Sequence, residues 1–363
     1  MNVYAVIMAG GAGTRFWPAS RSSRPKQLLA LAADPNESLL AATVRRLDPL
    51  ITKENVFIAT GAHLSDASAN VLPGVPKNQI LAEPVPRNTA PCIGWATATI
   101  ARKDPDAIVC VLPSDHFMAN EDGFRKTVAA AIESAKKGYL TTIGIVPTRP
   151  ETGYGYIEVG KKIDGDTFEV ARFVEKPNRE RAEEFLKGGK HLWNGGMFFF
   201  RAKDMIAEID TYLPDLADGM RKIDDAARKG EEPKALAEVF PKLPSISIDN
   251  GVMEKAKKLA VVQGDFGWSD VGSWESAWEL AKKDAAGNAA PAGSIVVEAK
   301  NNLVVDLTTG VKTGKNKAIA LVGVSDLVVV ETDDALLVIP RERAQDVRAA
   351  VDALKAAGKK ELL

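Results

Sequence analysis

Short β-branched apolar runs alternate with longer amphipathic stretches along the first part of the chain, the pattern of strands joined by crossover helices. Residues 3–8, 55–60, 79–82 and 107–112 read as strands. Between them, Ser38 is placed to cap a helix running to Arg46, and Thr89 to begin one ending near Arg102, with Pro91 tolerated in its first turn. These elements predict an α/β domain, a Rossmann-like mixed sheet in a three-layer α/β/α arrangement. Such sheets bind ligands beyond the carboxyl ends of their strands, where 10–13 and 113–116 fall here.

A less regular stretch follows, with strands expected at 141–146, 156–159, 168–174 and 197–201 and helices between Lys203 and Arg228. The small, polar segment 285–293 marks a boundary, which divides the chain into residues 1–288 and 289–363. Beyond it the texture changes to short strands over 294–339, with turn signals at Thr309-Gly310, Thr313-Gly314 and Asp333-Asp334, then a helix from Arg341 to about Ala357. The tail is thus expected to be a small β-rich domain ending in a helix. No internal repeat stands out beyond this strand rhythm.

Composition names no ligand. The 363 residues are 45% hydrophobic and 26% charged, an ordinary globular profile. With 47 basic and 48 acidic side chains, the net charge of -1 gives no general attraction to nucleic acid or an anionic membrane, so any phosphate binding is local. Cys92 and Cys110 each sit in an apolar run and read as small buried hydrophobes in a reducing compartment. The N-terminus has no basic leader and no apolar stretch is long enough to span a bilayer, so a cytoplasmic protein is expected.

The candidate chemistry begins right after the first strand, at Gly10-Gly11-Ala12-Gly13-Thr14-Arg15. Glycines there let backbone N–H groups wrap an anion, and phosphate is the natural guest. The run lacks the Lys-Ser/Thr of a P-loop, and Phe16 stands where a dinucleotide fingerprint needs its third glycine. The glycines alone fit an ordinary strand-to-helix turn. Arg15, Arg21, Arg24 and Lys26 tip that balance: no acid occurs before Asp34, and an unmixed cationic cluster suits a polyanion.

The segment from Gly10 to Gln27, with its GGxGTR run, Phe16-Trp17-Pro18 and Pro25-Lys26-Gln27, resembles the opening motif of the sugar-nucleotide pyrophosphorylases, and within them the mannose-1-phosphate guanylyltransferases. The resemblance implies that Gly10, Gly11, Gly13 and Thr14 bind the nucleotide, while Arg15 and Lys26 hold the triphosphate and stabilise charge as pyrophosphate departs. Glu83-Pro84-Val85-Pro86-Arg87-Asn88-Thr89-Ala90, by itself a helix-start turn, is similar to a further family motif. It implies nucleotide contacts for Arg87, Asn88 and Thr89, with guanine as the base.

Pro113-Ser114-Asp115-His116 resembles the family's Pro-x-Asp-His segment, which implies Asp115 as a Mg²⁺ ligand beside the nucleotide-binding Ser114. Read alone, Asp115 is equally a turn aspartate. Trp268-Ser269-Asp270-Val271-Gly272-Ser273-Trp274 resembles the segment that brings the second metal carboxylate, here Asp270. His116 is read as structural, because Mg²⁺ prefers oxygen.

For the sugar phosphate, Phe173-Val174-Glu175-Lys176-Pro177 resembles a signature whose glutamate takes sugar hydroxyls and whose lysine takes the phosphate. Strand neighbours face opposite ways, so a Glu175–Lys176 ion pair is not expected. Gly155, Asn194 and Asp249 are carried over from similar segments, although Asp249 is nearly as well explained as a helix cap. Gly195 departs from the Trp-Asn-Ser-Gly usual in mannose enzymes, and a lost hydroxyl there would loosen sugar selectivity if it touches substrate.

Residues 327–338 resemble the family's C-terminal segment, a left-handed β-helical module used in homodimers. Longer relatives add a metal-dependent phosphomannose isomerase. That activity is not expected, because His63, His116 and His191 are the only histidines and lie far from the tail.

The expected reaction is transfer of GMP from GTP to mannose 1-phosphate with Mg²⁺, by in-line attack, with Arg15, Lys26 and Lys176 as the catalytic cations. Rival readings are the same chemistry on glucose 1-phosphate with UTP or dTTP, a silent sugar-nucleotide-sensing paralogue, and more remotely an NAD-binding dehydrogenase.

Overall fold

Nine strands make the central sheet: β1 (Val3–Met8), β2 (Val56–Gly61), β3 (Ile80–Glu83), β4 (Ile108–Pro113), β5 (Leu140–Ile145), β6 (Tyr156–Asp164), β7 (Thr167–Val174), β8 (His191–Arg201) and β9 (Leu259–Gly264). The computed structural model describes residues 1–11, 13–31, 37–308 and 318–363. The strand order is β3-β2-β1-β4-β8-β5-β9-β7-β6. The first four strands pair in parallel, with Ala5 opposite both Val56 and Cys110. From β8 onward antiparallel pairs enter, and only β5–β9 is parallel, so the sheet is mixed as expected.

Two compact units emerge. The first comprises Met1–Gly10, Thr43–Ser114 and Met118–Trp268; the second comprises Gly11–Ala42, Asp115–Phe117 and Ser269–Leu363. In the first, β4 is buried on both faces, the condition that a continuous apolar run such as Ile-Val-Cys-Val-Leu satisfies. Val109, Val111, Phe198 and Phe200 share a core with Trp95, Met205, Ile209, Leu216 and Met220 from the helices Thr89–Ala101, Ala202–Tyr212 and Pro214–Arg228. The helix Glu121–Lys136 packs on β5, β8 and β9 and buries Phe124, Val128 and Ala131. Cys92 and Cys110 are buried free thiols, as their apolar surroundings predict.

The second unit has its own core, in which Phe16, Trp17 and Leu29 meet Val271, Trp274 and the C-terminal apolar residues. Phe16 lies edge-on to Trp274 at 4.9 Å, and the Trp274 indole donates to the Trp17 carbonyl at 3.2 Å. A buried indole needs such an acceptor. Its strands β10 (Ile295–Val297), β11 (Leu303–Asp306), β12 (Ala320–Val322), β13 (Leu327–Glu331) and β14 (Leu336–Pro340) pair in parallel as β10–β12 and β11–β13, the stacking of a β-helix, with β13–β14 antiparallel.

Most strand expectations hold to within a residue, but β6 runs to Asp164 rather than 159, β8 begins at His191 rather than 197, and β9 was not anticipated. The tail helix is shorter than expected, because residues Arg341–Asp346 form a 3-10 turn and the α-helix spans Val347–Ala356. The turn at Asp333-Asp334 closes with Thr332 N–H on the Ala335 carbonyl at 2.9 Å. Ala12 and the turn signals at Thr309, Gly310, Thr313 and Gly314 lie outside the described residues. Among the described residues no helix is long and apolar enough to cross a membrane.

Candidate active site

Within the second unit, Gly13, Thr14, Arg15, Lys26, Asp115, His116, Asp270, Gly272 and Arg348 line one cavity of about 330 Å³. Gly13 sits at φ +60°, and a Cβ there would lie 2.6 Å from the Lys26 Cβ, so the loop closes over Lys26 only as glycine. Thr14 and Arg15 lie in the 3-10 turn that follows, and Arg15 Nη1 donates to the Gly272 carbonyl at 3.4 Å. Lys26 is buried, with its ammonium donating to Asp115 Oδ2 at 2.9 Å and to the Asp270 carbonyl at 2.6 Å. Residues separated by more than two hundred positions thus meet at one cation.

Burial pushes the Asp115 carboxyl up, but the Lys26 ammonium and His116 outweigh it, and the net shift is downward. An ionised Asp115 suits a hard cation. The Asp270 carboxylate folds against Gly272, where a Cβ would stand 2.9 Å from its Oδ2, and it takes no hydrogen bond from the described residues. Among those residues no three His, Cys, Asp or Glu side chains converge on a metal site. Two carboxylates nonetheless fit Mg²⁺, which keeps water and takes substrate phosphate oxygens instead of demanding a protein-only cage.

In the first unit, the end of β3 carries Glu83, which sequence reasoning left without a role. It is buried beside Gly10, its Oε1 has no hydrogen-bond partner among the described residues, and burial raises its pKa from 4.5 to about 7 against a hydrogen bond from the Cys92 thiol. No local signature in Ile80-Leu81-Ala82-Glu83, where burial alternates, sets this acid apart. Asn88, at φ 67°, caps the following helix through Thr89 N–H at 2.8 Å, and the Thr89 hydroxyl accepts from Ile248 N–H at 2.8 Å. Both therefore have structural work besides the expected nucleotide contacts. Arg87 Nε is buried without a hydrogen-bond partner among the described residues, and Ser114 is buried with its carbonyl accepting from the Thr43 hydroxyl at 3.3 Å.

The expected sugar-phosphate residues also converge in this unit. Asn194 donates from Nδ2 to Asp249 Oδ1 at 2.9 Å, accepts from the Thr142 hydroxyl at 3.0 Å, and donates its N–H to the Gly155 carbonyl at 2.8 Å. Burial, then the Glu175 charge, raises Asp249 from 3.8 to about 6, with Asn194 opposing. Asp249 lies within a single π-helical turn, Asp249–Met253, and is not a cap. Contrary to expectation, Lys176 does pair with Glu175. The strand has ended there: Lys176 adopts φ 44°, which breaks the alternation and swings its side chain back.

At Gly195 a Cβ would lie 2.9 Å from the Ile143 carbonyl oxygen, so a serine there would require a local shift. Tyr154 stands edge-on to Trp193 and Trp268 at 5.2 and 5.4 Å, an aromatic wall the motifs did not disclose.

Comparison with known proteins covers both regions of the chain. The nucleotidyl transferase family matches residues 4–287, and a mannoseP isomerase/GMP-like β-helix domain matches residues 295–354. A mannose-1-phosphate guanylyltransferase of Klebsiella pneumoniae is 41% identical, covering 96% of this chain and 73% of its own. One from Escherichia coli is 40% identical over the same shares. The crystal structure of a protein described as a mannose-1-phosphate geranyltransferase, from Thermus thermophilus, is 34% identical, covers 98% of this chain and 100% of its own, and has a TM-score of 0.86.

Proposed function

From the premise that the chain belongs to the nucleotidyl transferase family, we propose that it transfers GMP from GTP to mannose 1-phosphate, giving GDP-mannose and pyrophosphate. The observation that carries the reading is the pocket in which the glycine-rich loop, Arg15, Lys26 and two carboxylates come together. Guanine and mannose come from the relatives.

A phosphate oxygen of mannose 1-phosphate forms a bond to the α-phosphorus of GTP as the bond from that phosphorus to the bridging oxygen breaks, and pyrophosphate leaves with the electron pair. A phosphate monoester is already ionised, so the protein needs no covalent intermediate and no strong base. Its contribution is position and charge. Gly11, Gly13 and Thr14 present backbone N–H groups to the triphosphate. Arg15 and Lys26 offset the charge that builds on the leaving group. Lys26 is fixed for this by its two acceptors, so it loses little side-chain freedom on binding.

Asp115 and Asp270 would hold a divalent cation, Mg²⁺ in this reading, which supplies charge screening between the two phosphate groups. Glu175, Asn194 and Asp249 are assigned to the mannose hydroxyls and Lys176 to its phosphate, with Gly155 leaving room. Gly10, Arg87, Asn88, Thr89 and Ser114 are assigned to the nucleoside side. A carboxylate held near neutral pKa, such as Asp249, accepts well from a sugar hydroxyl once it is ionised.

We further place the residues 1–288 and 289–363 as the functional division, the reaction in the GTP-supplied cytoplasm, and a homodimer contact on the C-terminal module. Ile295, Val297 and Val322, on the paired strands β10 and β12, are 54%, 47% and 63% exposed. Such a patch calls for a cover. The functional reading is tested by Lys26→Ala and Asp270→Ala, each expected to abolish pyrophosphate release from GTP and mannose 1-phosphate while keeping native circular dichroism. Near-normal turnover by either would sink it.

A further inference from the structure

We propose that Arg348, on the C-terminal helix, binds the pyrophosphate end of the triphosphate and the pyrophosphate that leaves. The inference rests on the reaction assigned above and adds to it a residue from outside every motif of the glycine-rich loop.

The helix Val347–Ala356 is pinned by Val347 and Val351, one turn apart and 1% and 4% exposed, in the core that also holds Phe16, Trp17 and Trp274. A residue next to a buried position is rotated about 100° around the helix. Arg348 therefore leaves the apolar face, is exposed, and lines the same cavity as Gly13, Thr14, Arg15, Lys26, Asp115 and Asp270. Two further contacts fasten the tail to the loop's continuation: the Trp17 indole donates to the Leu362 carbonyl at 2.8 Å, and Arg21 pairs with Asp334 at 2.8 Å.

Charge supplies the second line of argument. Lys26 is bound by Asp115 and the Asp270 carbonyl, and Arg15 reaches the Gly272 carbonyl. Arg348 is thus the one arginine or lysine of the lining whose charged group is not already held by a described residue. A triphosphate carries more negative charge than one divalent cation offsets, so an uncommitted guanidinium beside it has work to do.

Pairing is the third. Neighbouring arginines of this module have acidic partners: Arg341 bonds Asp326 at 3.1 Å and Arg343 bonds Asp346 at 2.7 Å. Asp352, one turn beyond Arg348, is paired with Lys355 at 3.2 Å instead. Among the described residues Arg348 has no hydrogen-bond or ion-pair partner. A free planar guanidinium facing a phosphate cavity matches two oxygens of a terminal phosphate at once, and lysine lacks that geometry.

Steady-state kinetics of the full chain with Mg²⁺, run in both directions, test this. Arg348→Ala is expected to raise KM for GTP and, in reverse, for pyrophosphate by roughly 10-fold or more, leaving the constants for mannose 1-phosphate and GDP-mannose within about two-fold. Arg348→Lys should recover part of the loss, and Arg343→Ala should behave as wild type. Unchanged GTP and pyrophosphate constants in Arg348→Ala would overturn the inference, as would an equal loss for all four ligands with a lowered melting temperature. If the wild type releases no pyrophosphate from any substrate pair, the reaction is wrong. Calorimetric titration with pyrophosphate then decides Arg348 alone: weaker binding by Arg348→Ala supports it, and equal binding refutes it.

Discussion

Replacing Glu83 by glutamine should make the protein's stability less sensitive to pH. Glu83 ends β3, is 8% exposed, and has one carboxyl oxygen with no hydrogen-bond partner among the described residues. Burial raises its pKa from 4.5 to about 7, although the Cys92 thiol's hydrogen bond pulls the other way. The unfolded chain gives up this proton near 4.5, and the folded chain keeps it until about 7, so the folded state binds more protons between those values. The stability associated with the protonated carboxyl is fully present below about 4.5 and is lost as pH rises through about 7. A gap of about 2.5 pH units, at 1.36 kcal/mol each, amounts to about 3 kcal/mol. Urea unfolding at about pH 5 and about pH 8 samples most of that window, so wild type should lose about 2–3 kcal/mol more than Glu83→Gln across it. Parallel pH profiles for the two proteins would refute the reasoning.

Three further outcomes follow from the same geometry. Chelation should stop turnover, and Mg²⁺ should restore it; full activity in excess chelator would contradict the assignment of Asp115 and Asp270. Asn194→Ala removes the donor that opposes the rise of Asp249, so that carboxyl should climb further above about 6. In wild type, KM for mannose 1-phosphate should worsen as pH falls through about 6; in Asn194→Ala the same loss should begin at higher pH, and an unshifted profile would count against Asp249 as a sugar acceptor. Trp274→Ala empties a site that is 0% exposed and deletes the bond to the Trp17 carbonyl, so unfolding should lose about 3–5 kcal/mol, and a loss below about 1 would contradict the packing described.

The parts of the fold that local pattern controls were legible in the sequence. The strand at Val3–Met8 and the helix start at Thr89 follow from a short continuous apolar run and from turn chemistry. The strand β9 was not, because Leu-Ala-Val-Val is too short a run to separate strand from helix without its partners β5 and β7. The site shows the same division. Motifs led to Arg15, Lys26, Asp115 and Asp270, which the fold gathers around one cavity. Strand alternation argued against the Glu175–Lys176 pair, but that rule stops where Lys176 turns to positive φ. Glu83 and Arg348 were missed because their significance lies in burial and in which cavity they face, neither of which has a local signature.

The central claim is the reaction. It is tested most directly by incubating the purified protein and Mg²⁺ with each nucleoside triphosphate and each hexose 1-phosphate and measuring pyrophosphate. GTP with mannose 1-phosphate should give the fastest release, with GDP-mannose formed in equal amount. Faster release from UTP or dTTP with glucose 1-phosphate, or none from any pair, would contradict the account.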